Sequence, residues 1–76
     1  MKYKGYVFSG AMYLRSVGLD PKEPHYFKLI GFWIGNKNQR VGSYVLSDEN
    51  GKALEGLEYL QFSRTRDNEF YLESLG

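Results

Sequence analysis

The chain has no cysteine, two prolines and a single histidine among its 76 residues. Without cysteine it can form neither disulfides nor thiolate metal sites, two of the usual staples of a very small domain. The same absence suits a reducing compartment, and a cytoplasmic location is expected. No apolar run approaches the roughly 20 residues that a membrane helix needs; the longest is Leu29 to Gly35. Met1-Lys2-Tyr3-Lys4, followed by Gly5 to Leu14, has the charge of a signal peptide but neither its aliphatic core nor its cleavage site. No membrane contact is therefore expected.

Catalytic equipment is scarce too. His25 follows a proline at the head of a strand-like segment, where a lone histidine reads as structural. There is no cysteine nucleophile, no Gly-x-Ser-x-Gly elbow and no phosphate-cradling glycine loop. Glu55, Glu58, Glu69 and Glu73 are interleaved with strand residues and read as a solvated face. Asp48-Glu49-Asn50-Gly51 lacks the third ligand and the closing bidentate Glu of a calcium loop, and reads as a hairpin turn. The expectation is a protein that is not an enzyme, with no catalytic residues, no metal and no cofactor.

What the chain does have is aromatic mass. Seven Tyr, five Phe and one Trp make up 17% of it, and each ring can bury about 150–250 Å². A domain this small buries only about 60% of its unfolded surface, so thirteen rings exceed what one core needs. The surplus is expected on the surface, where Tyr and Trp are favoured interface anchors. A hydrophobic fraction of 42% with 25% charged residues sets disorder aside.

Nine glycines cut the sequence into apolar runs of strand length. Lys2 to Phe8 is a strand candidate. Ser9-Gly10 turns it into a second, Ala11 to Val17; the rival reading there is a helix with Ser9 as N-cap, Gly18 just past its end and Pro21 beyond. Leu19 to Pro24 is a loop. His25 to Ile34 is the clearest strand, with Phe27, Leu29 and Trp33 on one face and Tyr26, Ile30, Phe32 and Ile34 on the other. Apolar side chains on both faces predict a strand covered on both sides or lining a barrel, and Gly31 predicts a bend or bulge. Residues 36–39 turn the chain into Val41 to Leu46. Asn50-Gly51 supplies the left-handed positions of the next turn. Lys52 to Leu54, Leu57 to Thr65 and Glu69 to Leu75 read as further strands, with a helix over 53–62 as an alternative from the spacing of Leu54, Leu57 and Leu60. The sum is one compact domain, residues 1–76, of the all-β class with room for one short helix. It is a small antiparallel β-barrel or a strongly curled sheet of five to seven short strands.

The net charge is +1, but residues 1–40 carry +5 and residues 41–76 carry −4. Either the halves neutralise each other across the sheet, or they form a dipolar surface that steers a charged partner or a second copy. Together these features predict a non-catalytic protein-binding module, a small regulator, inhibitor or assembly factor, that also forms a homodimer. The candidate binding residues are Tyr26, Lys28, Trp33, Lys37, Arg40, Arg64 and Arg66. Lys37, Arg40, Arg64 and Arg66 flank turns and are expected to form a positive rim for an acidic partner; the alternative is that they pair with Asp67, Glu69 and Glu73. The rival function is single-stranded nucleic-acid binding, with Lys2, Lys4, Tyr6 and Phe8 sharing one strand face. Near-neutral net charge argues against it.

Overall fold

The computed structural model describes the backbone of residues 2–74 and the side chains of residues 3–73. Five strands follow one another as a closed meander: β1 (Lys2–Val7), β2 (His25–Ile34), β3 (Arg40–Ser47), β4 (Gln61–Arg64) and β5 (Glu69–Ser74), with one helix, α1 (Ala11–Ser16), between β1 and β2. Successive strands pair antiparallel. An odd number of alternating strands brings the first and last together in the same direction. The ring accordingly closes through a parallel seam, Tyr6 opposite Glu69 and Val7 opposite Phe70. The all-β barrel expectation holds, at five strands.

The barrel is filled by aromatic rings. Phe27 and Phe70 stack at 3.8 Å with 10° between their planes. Phe62 meets Phe27 edge-on at 5.8 Å, and Tyr44 meets Phe70 edge-on at 5.2 Å. Such pairs contribute about 0.5–1.5 kcal/mol each beyond their area. Val7, Leu14, Leu46 and Leu60 complete the buried cluster. Gly5 makes room for it: a Cβ there would lie 2.9 Å from Cε2 of Phe70 and 2.7 Å from Cε1 of Tyr3.

Residues 11–16 are helix, not the strand first read there. The stop signals prevail: the Gly18 N–H bonds to the Arg15 carbonyl and the Leu19 N–H to the Leu14 carbonyl, with Gly18 left-handed at φ 84°. Ser9 is not the N-cap. Gly10 takes that position, while Ser9 Oγ accepts from the Leu72 N–H at 2.9 Å and ties the chain to β5. Residues 53–62 form neither helix nor a long strand. Ala53 makes one isolated bridge to Ser47, and the spacing of Leu54, Leu57 and Leu60 appears as two successive turns, each N–H bonding to the carbonyl three residues back. Leu60 is fully buried.

Three hairpin turns share one geometry. In 35–39, 48–52 and 65–69 the fifth residue's carbonyl accepts from the first residue's N–H. The fourth residue's N–H bonds to the first residue's carbonyl, and the fourth residue is left-handed: Asn38, Gly51 and Asn68. This is a type I turn followed by a one-residue bulge, which tolerates Asn where a tighter turn favours Asn-Gly. Only Gly51 of the Asn50-Gly51 pair is left-handed.

Candidate functional site

β2 and β3 outrun the barrel. The last β2 residue paired with β1 is Lys28, and the first β3 residue paired with β4 is Ser43. Beyond them Phe32, Trp33 and Ile34 pair only with Gly42, Val41 and Arg40, so these residues and the turn 35–39 form a two-stranded arm. A bulge marks its base. Leu29 faces Tyr44 but Gly31 faces Ser43, leaving Ile30 as the extra residue.

The bulge changes which side chains share a face. Strict alternation puts Trp33 with Phe27 and Leu29. With one residue inserted, Phe32 and Ile34 continue the face of Phe27 and Tyr44, and Trp33 turns to the outer face beside Val41. The expectation of a strand covered on both sides fails here. Ile30, Phe32, Trp33 and Ile34 are 48, 57, 45 and 56% exposed. Apolar residues on both faces mark a buried strand only where neighbours exist, and the arm has none on either edge among the described residues.

The arm is also one-signed. No Asp or Glu occurs between Glu23 and Asp48, whereas Lys28, Lys37 and Arg40 do. The Arg40 guanidinium lies 4.4 Å over the Phe32 ring, and Lys37 is exposed in the turn. Gly42 makes room for the Tyr44 ring at the base, since a Cβ there would sit 2.7 Å from Cε2 of that ring.

The predicted binding residues therefore divide. Trp33, Lys37 and Arg40 come together on the arm. Tyr26 and Lys28 belong to the same strand but to the barrel wall, Tyr26 half-buried with Lys4 Nζ 5.9 Å above its ring. Arg64 is half-buried. Its guanidinium lies 4.6 Å over Tyr3 and donates to Asn68 Oδ1 at 2.9 and 2.6 Å, so it braces the barrel margin. Arg66 is exposed in the turn 65–69, which lies at the same end of the meander as the arm. Two of the three acids expected as their alternative partners accept from hydroxyl groups. Glu73 accepts from Ser43 and Glu69 from Tyr71. Ile30, Phe32 and Ile34 were missing from the predicted set, and the signal for them was the bulge-forming glycine followed by an acid-free apolar run.

A second aromatic surface lies on the outer face of β1, where Tyr6 and Phe8 are 47 and 59% exposed. They form a ridge between two grooves. One, of about 490 Å³, is flanked by Arg15 and Lys22. The other, of about 460 Å³, is walled by Asp67, Asn68 and Glu69 with Lys4 beside them. Lys4, Tyr6 and Phe8 share a face as expected; the side chain of Lys2 lies outside the described residues.

The chain matches no protein-family model, no curated protein and no solved structure. The chemistry of these surfaces has to speak for itself. Among the described residues no group of three or more His, Cys, Asp or Glu could hold a metal. The His25 Nε2–H donates to the Asp20 carbonyl at 2.8 Å, a loop-tethering contact. Among the described residues no helix is long and apolar enough to cross a membrane.

Proposed function

We propose that this domain is a non-catalytic protein-binding module of the cytoplasm whose working element is the β2–β3 arm. One observation carries the reading: four large apolar side chains stand about half exposed on a projecting arm that bears cations and no acid. Soluble proteins rarely keep such a patch without a use for it. Aromatic anchors flanked by arginine are the composition of interface hot spots. The cations select an acidic protein surface and speed the encounter with it. The domain acts as a regulator, inhibitor or assembly factor by occupying that surface, and it pairs with itself as a homodimer.

A photo-cross-linking residue in place of Phe32, with a second at Tyr13 on the helix as control, tests this in cells that make the protein. A discrete protein adduct from position 32 and none from 13 is the expected result. A nuclease-sensitive adduct transfers the arm to single-stranded nucleic acid, and no adduct at all refutes the reading.

A further inference from the structure

We infer that the arm's partner includes a second copy of this chain, and that two copies exchange arms, each arm lying in the other's Asp67–Glu69 groove. The inference rests on the arm being a protein-binding element. Three observations select this occupant. First, charge: the arm carries Lys37 and Arg40 without an acid, and of the two grooves beside the Tyr6–Phe8 ridge only one is walled by carboxylates, Asp67 and Glu69 against the single Lys4. The other presents Arg15 and Lys22 and repels the arm. Second, position: the acidic groove opens beside Pro24 at the head of β2, whereas the arm leaves the barrel at the tail of the same strand. Two copies lying side by side and antiparallel about a two-fold axis bring each arm to the other's acidic groove, which makes the contact isologous and closed.

Third, area. Four half-exposed side chains present on the order of 400 Å². One arm on one groove then buries about 800 Å² in all, below the roughly 1,200 Å² at which specific interfaces begin. Reciprocal exchange doubles this to about 1,600 Å², within the standard range. The same contact covers Tyr6 and Phe8, exposed aromatics at the end of β1.

Light scattering across micromolar concentrations should give twice the 8.8 kDa chain mass. Ile34→Glu removes the arm's grip and Phe8→Glu the groove's; both sites are exposed, so the barrel stays folded, which circular dichroism checks. Each variant alone should dimerise at least about 30-fold more weakly. A monomeric wild type overturns the inference, as does a dimer indifferent to Phe8→Glu or to Ile34→Glu. Each of those failures is distinct from failure of the arm as a binding element, because position 32 would still cross-link to a different protein.

Discussion

Replacing Gly5 by alanine tests the barrel core directly. Gly5 has no left-handed φ, so alanine brings no backbone penalty and the effect is steric. The new methyl group would lie 2.7 Å from Tyr3 Cε1 and 2.9 Å from Phe70 Cε2, closer than real side-chain carbons approach. Tyr3 is half-buried and has some room to give. Phe70 has none: it is fully buried, stacked on Phe27 at 3.8 Å and edge-on to Tyr44. Overpacking of this kind costs about 1–3 kcal/mol. The stiffer unfolded chain returns about 0.4–1 kcal/mol. The net loss of about 1–2 kcal/mol lowers Tm by roughly 5–15 °C in a domain of this size. Gly31→Ala is the control, since nothing lies within 4 Å of its Cβ position and its φ is not left-handed; its Tm should hold or rise. Thermal unfolding followed by circular dichroism reads both. An unchanged Tm for Gly5→Ala, or an equal fall for Gly31→Ala, refutes the packing argument.

Lys37→Glu with Arg40→Glu should leave Tm nearly unchanged, because exposed charges contribute about 0–1 kcal/mol, yet slow association with the arm's partner and flatten its salt dependence in stopped-flow mixing. Arg64→Ala should do the reverse, costing about 1–2 kcal/mol of stability through the lost Asn68 bonds and Tyr3 contact without altering the on-rate. The Tyr71 hydroxyl donates to Glu69 Oε2 at 2.8 Å, and this bond, then the carboxylate's charge, hold the phenol above its ordinary pKa. A pKa raised by folding stabilises below the unfolded value, and that contribution is lost as pH rises through the folded one. Tyr71→Phe should therefore remove a component of alkaline destabilisation above pH 10, and phenolate absorbance should show one fewer late-titrating tyrosine.

The fold was legible where local chemistry and tertiary context agree. His25 to Ile34 was read with its observed ends because β-branched and aromatic residues run between a proline and a polar turn. Residues 11–16 read as strand in the sequence because Tyr13, Leu14 and Val17 suit a strand as well as a helix. The deciding hydrogen bonds at Gly18 and Leu19 belong to the helix end and not to its body. The faces of β2 were assigned correctly up to Leu29 and incorrectly after it. Gly31 announces a bulge but does not say on which side the extra residue falls, and one residue reverses every face beyond it. The proposed site is legible in kind, as aromatic and basic residues near the 36–39 turn. Its membership is not, because sequence separation does not show that Arg64 turns inward to Tyr3 while Arg40 lies along the arm.

The three matching turns bear on why the arm exists. The 65–69 hairpin closes at the barrel's margin, with Arg64 paired to Phe70 directly before it. The 48–52 hairpin adds only the bridge between Ser47 and Ala53. Turn geometry alone therefore does not require the strands to run on beyond the barrel, and yet β2 and β3 do so before the same turn at 35–39. The residues added there, Phe32, Trp33, Ile34, Arg40 and Val41, contribute nothing to the buried cluster. Polar residues in their place would preserve every core contact and would spare the chain an exposed two-stranded edge, which proteins ordinarily blunt to avoid aggregation. A hydrophobic extension that neither folding nor turn chemistry calls for breaks a local rule without a structural return, and such breaks concentrate at functional sites.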